Sequence, residues 1–356
     1  MNSNKKNLSA LLLLTLMVSS LQTKNDNSLY PLIHKWTVLS RHLGLVLGPA
    51  ITAKNFISYK NQLPSLPHAP TIVVQFCKEK LKSQGLNADE INIVVKEDCS
   101  FLEAFGKNHI IIDPLSADEF QKALENPTEE ASINIIGIYS TFLDHEIAHL
   151  KNNDANKRLP VLIGATLASY ALSSYVINSS RLKPFFQEPT NIKEFCRTHV
   201  AYNLMSLGCS VLTKSLYGWY ARYQENRADA YAISQAKDPE ALRYAAKYLE
   251  MADNGMIDVL CGSPINPNLP FATQFAMQYV RGLLTAQYQT RKPTVDFRSW
   301  VTQQSKALAV LKFLHDVEHP SGFSRGQIMR KAADALDAIK NASSSTLSQP
   351  AAAPAA

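Results

Sequence analysis

The sequence predicts a mainly α fold with a small β-sheet, an α+β class. Three observations predict it: long stretches with apolar residues at helical spacing, only two short segments of strand character, and a globular composition. Of the 356 residues, 46% are hydrophobic and 19% charged, the balance of a chain that buries a core. That length is enough for one large domain or two.

The N-terminus opens with a short basic start, Lys5-Lys6, followed by an apolar run from Leu8 to Val18. This pattern fits a secretory signal over residues 1–22, with Val18 and Ser20 small enough for the positions before a cleavage site. A retained signal anchor is the alternative, although the run is short for spanning a bilayer. Either one implies an exported protein. Residues 23–70 are an N-terminal region that ends in a linker, Leu63-Pro-Ser-Leu-Pro-His-Ala-Pro70, whose prolines punctuate the chain.

The main domain is expected over residues 71–341. Residues 91–96 are the clearest strand, and residues 108–113 read as a second. The second is either an exposed edge, able to pair with an extended peptide, or a core strand, as its Ile-Ile-Ile run suggests. Residues 133–150 carry Ile136, Tyr139, Leu143, Ile147 and Leu150 at helical spacing and should seat a helix against a core. Residues 160–180 contain no charge and are long enough to cross a bilayer, though diluted by serines and tyrosines. Residues 200–219 are a weaker apolar stretch that carries Lys214. The whole of 160–219 is therefore an apolar helical insert: a membrane hairpin, two long core helices, or helices lying in the lipid interface. A mean hydropathy of −0.12 argues against a polytopic protein. Residues 238–256 form another helix, with Asp238 suited to its N-cap and Pro239 to its first position. Residues 298–318 are helical too. Residues 342–356, mostly Ser, Pro and Ala, read as a disordered tail.

A net charge of +6, with Lys and Arg scattered, forms no basic stripe, so no nucleic-acid partner is expected. A mild preference for anionic lipid is compatible with it. The five cysteines, Cys77, Cys99, Cys196, Cys209 and Cys261, are odd in number and widely spaced, which gives no disulfide framework. A Cys77–Cys99 bond is open to an exported chain; five buried thiols are the plainer alternative.

Chemistry concentrates in His145-Glu146-Ile-Ala-His149, inside the helix of residues 133–150. Positions i and i+4 share a helix face, so His145 and His149 can point two imidazoles at one cation. Glu146, beside the first, stands where a carboxylate reaches a water on that cation. Such a pair suits Zn²⁺; the plain alternative is a buried helix with two satisfied histidines. A catalytic zinc site needs a third protein ligand. Downstream, Glu225-Asn-Arg-Ala-Asp229 lies in a segment favouring helix, with its acids four apart on one face. Glu225 is the candidate third ligand. Asp229 can accept the free ring N–H of a ligating histidine and so fix its orientation. Taken alone, the segment would be a solvated face on which Arg222 and Glu225 pair. The face of Ala241, Tyr244, Ala245, Tyr248 and Leu249 should pack beneath this site.

His145-Glu-Ile-Ala-His149, with Asp154 five residues on and then Glu225-Asn-Arg-Ala-Asp229, resembles the gluzincin peptidases of the HtpX and CAAX prenyl protease type. That group includes the mitochondrial Oma type and periplasmic outer-membrane quality-control proteases. The long interval between His149 and Glu225 is similar to the membrane-embedded HtpX branch, where two hydrophobic helices fill it. His319-Pro320 and Arg325 match a His-Pro followed by an Arg near the end of that domain. The resemblance spans roughly residues 91–330. It departs upstream, where the family's Asn-Ala-Phe is replaced by Phe101-Leu-Glu-Ala-Phe105.

The resemblance implies a zincin-like domain, with one HExxH helix and one Glu-bearing helix, acting as a zinc-dependent endopeptidase on polypeptide substrates. In that role one Zn²⁺ sits on His145, His149 and Glu225, Glu146 is the general base, and His319 and Arg325 stabilise the oxyanion or align substrate. It further implies membrane association and an envelope compartment such as the periplasmic side. A non-catalytic zinc-binding chaperone or adaptor of the same fold is the alternative, against which the intact Glu146 speaks.

Overall fold

The structure is a computed structural model that describes Lys35, Leu39, Ala50 and Ile51, then residues 53–97, Cys99, and residues 101–265, 271–304 and 319–347. The signal-like segment of residues 1–22, most of the helix expected over 298–318, and residues 348–356 of the tail lie outside the described residues. The chain divides into two compact units, Ala53–Ala165 with Lys214–Ala356, and Met1–Thr52 with Thr166–Thr213.

The first unit is mostly helical around a three-stranded sheet of β1 (Asn92–Val95), β2 (Leu102–Phe105) and β3 (His109–Ile112). The strand order is β1-β3-β2, with β3 parallel to β1 and antiparallel to β2. Every residue of β3 is buried. Successive strand residues face opposite ways, and both faces are covered. Ile110 and Ile112 join Val73, Cys77 and Leu81 of α1 (Thr71–Ser83), Phe120 of α2 (Pro114–Glu125), and Tyr139, Leu143 and Ile147 of α3 (Glu130–Asn152). Ile111 joins Leu63, Val94 and Phe105 on the other side. The Ile-Ile-Ile run therefore belongs to the central strand, and a substrate-pairing edge at residues 108–113 is ruled out. Among the described residues the edge beside α3 is β2.

Beyond α3 come α4 (Asp154–Asn178), α5 (Ile192–Gln235), α6 (Pro239–Cys261), α7 (Phe271–Arg291), α8 (Phe297–Thr302) and α9 (Gly322–Leu347). Asp238 caps α6, accepting the Glu240 N–H at 3.1 Å. The helix packs on α3 where a Cβ on Gly137 would lie 3.2 Å from Ala241, and Ala245 and Ala246 are buried in the same core as Leu143 and Ile147. α9 lies directly on α6: a Cβ at Gly322 would collide with the Leu249 carbonyl, and one at Gly326 would come within 3.0 Å of the Ala246 carbonyl. A second core joins Ile257 and Leu260 of α6 to Met277 and Leu284 of α7 and Trp300 and Val301 of α8. α9 runs to Leu347, into the segment expected to be disordered; alanines and serines extend a helix whose nucleus is already formed. All five cysteines are free.

The second unit holds the later part of α4 and the earlier part of α5. Here Thr213 Oγ1 donates to Ser169 Oγ at 2.8 Å, and Cys209 lies 3.6 Å from the Ser169 carbonyl. Ser169, Ser173, Thr198 and Cys209 are buried, while Leu167, Leu172, Tyr175, Val200, Leu204 and Leu207 are exposed, Leu204 by 64%. α4 is long and apolar enough to cross a membrane, and only 17% of its apolar window is buried.

Candidate metal centre

The centre is built on α3, α5 and the turn that ends α3. His145 and His149 are one helical turn apart, both buried, with Nε2 atoms 3.0 Å from one another. α5 brings Glu225 to them: Oε2 lies 3.2 Å from His145 Nε2, and Oε1 3.4 Å from His149 Nε2. The sequence placed Glu225 and the apolar stretch of residues 200–219 in separate segments. They are one continuous helix of 44 residues, because nothing between them breaks the backbone hydrogen-bond ladder.

Each imidazole is held from behind. His145 Nδ1 lies 2.8 Å from Asp229 Oδ1, and His149 Nδ1 lies 2.8 Å from Asp154 Oδ2. Ionised carboxylates only accept hydrogen bonds, so each Nδ1 carries the proton and each Nε2 turns its lone pair inward. Asp154 reaches back because Asn153 ends α3 in the left-handed conformation, at φ 53°, which reverses the chain directly after the ligand helix. Arg227 Nη2 grips the other oxygen of Asp154 at 2.6 Å.

Asp229 is gripped by Arg325 through both oxygens, Nε to Oδ2 and Nη2 to Oδ1, each at 2.7 Å. This two-pronged pair is the strongest geometry open to an arginine and a carboxylate. Arg325 gets there because Gly322 and Gly326 let α9 sit against α6. Its guanidinium is buried and engaged with Asp229, so it acts on the centre through His145's partner. His319 stands differently: its side chain is 44% exposed and its Nε2 is 3.8 Å from Glu225 Oε2.

Glu146 is buried beside the pair, with Oε1 4.0 Å from His145 Nε2. Its Oε2 accepts the N–H of Ala104, in the edge strand β2, at 2.6 Å. The sequence did not single out Ala104, nor Arg158, whose Nη2 donates to Glu225 Oε1 at 2.8 Å. The spacing of Asp154 and Arg158, one turn apart on one helix face, was the available signal for the second.

Two inward lone pairs and a carboxylate, all buried and with no hydrogen of their own to share, call for a cation. The ligand atoms of His145, His149 and Glu225 lie within 4.8 Å of one another. Two imidazole nitrogens and a carboxylate oxygen are a donor set that suits zinc. In the metal-free protein, protons take up the demand. Burial alone would lower both imidazole pKa values, but Asp229 and Glu225 outweigh it at His145, and Asp154 and Glu225 at His149. Both are raised, His149 to about 10. Burial would raise Glu225, yet the two histidines hold it well below the ordinary carboxylate value.

Compared with known sequence families, residues 139–320 match Peptidase family M48. The matched span contains both histidines, Glu146, Asp154, Glu225, Asp229 and His319; Arg325 lies just past it. No curated protein and no solved structure matches the chain.

Proposed function

The chain belongs to peptidase family M48, a family of metallopeptidases, and from that premise we propose that it is a zinc-dependent endopeptidase acting on proteins of a membrane or cell envelope. The convergence of His145, His149 and Glu225 in one buried cluster, with Glu146 alongside, carries the proposal.

His145 and His149, through Nε2, and Glu225, through a carboxylate oxygen, would hold the zinc. Bound there, zinc supplies Lewis acidity that polarises a carbonyl and brings the pKa of a water toward about 7. Glu146 takes the proton from the attacking water and passes it to the leaving amine nitrogen. Ala104 N–H fixes the carboxylate for that task through Oε2, leaving Oε1 on the histidine side. Among the described residues no strand pairs with the outer edge of β2, an edge suited to an extended polypeptide. His319, half exposed beside Glu225, is the residue placed to donate to the developing oxyanion. Arg325 serves as a positioning group, holding Asp229 and through it the His145 ring.

The same proposal puts the second unit in lipid. Ser169, Ser173, Thr198 and Cys209 pack inward while Leu167, Leu172, Leu204 and Leu207 face outward. Small and hydroxyl-bearing residues at the interface are how helices pack in membranes. With the basic and apolar N-terminal run, this favours an exported, membrane-associated enzyme.

Glu146→Gln is the deciding variant. It is expected to lower cleavage of an unfolded protein substrate by at least about a hundredfold, with zinc content unchanged by metal analysis of the purified protein. Wild-type cleavage by that variant, or cleavage by wild type that survives a chelator, would refute the mechanism. Bound zinc with no cleavage in wild type would leave a zinc-binding adaptor in its place.

A further inference from the structure

Two arginine–carboxylate ties join α4 to α5 in opposite senses. Asp154 of α4 receives Arg227 of α5. One helical turn further along α4, Arg158 reaches back to α5 with two prongs. Its Nε donates to Gln224 Oε1 at 3.0 Å, and its Nη2 to Glu225 Oε1 at 2.8 Å. Gln224 is itself buried, and its Nε2 donates to the Asp154 carbonyl at 3.4 Å. The guanidinium is thus steered by neighbouring residues of α5 and delivered to one oxygen of the candidate third ligand. That oxygen also lies 3.4 Å from His149 Nε2, while Glu225 Oε2 has His145 Nε2 at 3.2 Å, His319 Nε2 at 3.8 Å and Arg325 Nη1 at 3.9 Å.

The two oxygens of a carboxylate can bind a cation together or singly. A charged donor on one of them favours binding through the other, and groups that hydrogen-bond a metal ligand orient it and tune its affinity. We propose that Arg158 is a positioning residue that engages Glu225 Oε1, so that the carboxylate presents Oε2 alone to the metal and a coordination position stays open. The proposal rests on the zinc assignment above. Arginine is suited to the task because it keeps its charge at every working pH and because its planar fork serves Gln224 and Glu225 together. A lysine in its place would supply a point charge without the second prong.

The test uses the full chain, purified with zinc and separately with cobalt(II), as wild type, Arg158→Gln and Arg158→Lys. Competition with a chelator gives the zinc dissociation constant. The visible absorption of the cobalt form reports coordination number, since four-coordinate cobalt absorbs more strongly than five-coordinate. Arg158→Gln is expected to weaken zinc by roughly tenfold to a hundredfold and to lower the cobalt absorption as Glu225 becomes free to bind through both oxygens. Arg158→Lys, the variant that best preserves folding, is expected to fall between the two. A wild-type dissociation constant and spectrum in both variants overturns the proposal. So does tighter zinc binding, which would make the arginine a competitor for the carboxylate. If wild type binds neither metal, the zinc assignment falls with it; if wild type binds and the variants match it, only the role of Arg158 falls.

Discussion

The two units of this protein differ in what they bury: large aliphatic side chains form the core of the first, and small and hydroxyl-bearing residues lie between the helices of the second. In the unit that carries the metal centre, Ile110, Ile112, Leu143 and Ile147 are inside, and the buried charges of Glu146, Asp154, Glu225, Asp229 and Arg325 are hydrogen-bonded. In the other unit, Ser169, Ser173 and Thr198 are inside, and Leu167, Leu204 and Leu207 are outside. In water, apolar side chains gain by being buried and a hydroxyl gains little. In lipid the leucine has nothing to gain from burial, while small and hydroxyl groups pack and bond between helices. The proposed lipid setting of the second unit rests on this contrast.

Leu204→Arg is the sharpest way to break that comparison. At the middle of a membrane helix a charge of this kind costs about 2.5–3.5 kcal/mol on insertion. The variant should leave the membrane fraction or be degraded, as read by fractionation and alkaline extraction. If Leu204 faces water, the change will be neutral and the lipid assignment fails.

Glycine substitutions probe packing in each unit. Gly322→Ala drives a Cβ into the Leu249 carbonyl, and backbone cannot step aside as a flexible side chain would. We expect a loss of about 1–3 kcal/mol and, because Arg325 rides on the same helix, weaker zinc binding. Gly208→Ala has nothing within 4 Å of the new Cβ and should be neutral or stabilising by under about 1 kcal/mol. Thermal unfolding with bound zinc measured in parallel distinguishes the two. Equal losses would mean that α9 does not depend on its close approach to α6.

Acid acts on the metal centre in a defined direction. His149 in the metal-free protein holds its proton up to about pH 10, and zinc must displace that proton. Zinc affinity should therefore rise by at least tenfold, about 1.4 kcal/mol, per pH unit from pH 6 to 9. The raised His145 value adds to the slope. The same shift gives the metal-free fold stability that is present below the ordinary imidazole pKa and lost as pH rises through about 10. Chelator competition at several pH values measures the slope, and a flat profile would show that neither imidazole is protonated before metal binds.

Much of the centre was legible in the sequence because helical geometry is local. His145 and His149 fall on one face by spacing alone, with Glu146 next to the first, and Glu225 with Asp229 stood out as the downstream helix able to complete them. The capped start of α6 was legible for the same reason: Asp238 and Pro239 act within one turn. Residues 108–113 were harder, since an Ile-Ile-Ile run is compatible with any strand covered on both faces. Its central place follows from β3 pairing with both β1 and β2, which no pattern within the strand encodes. Arg325 was noticed only through the family resemblance, and its grip on Asp229 depends on how closely α9 approaches α6.

By itself, then, the sequence determined the helix that carries the pair of imidazoles, the acid helix that answers them and the capped start of α6, because periodicity and capping operate over a few residues. Only the tertiary structure decided which strand is the edge, which carboxylate stands behind which ring, and that Arg158 takes one oxygen of Glu225. Those contacts join residues dozens of positions apart, and they form only once the core has set the distances between helices.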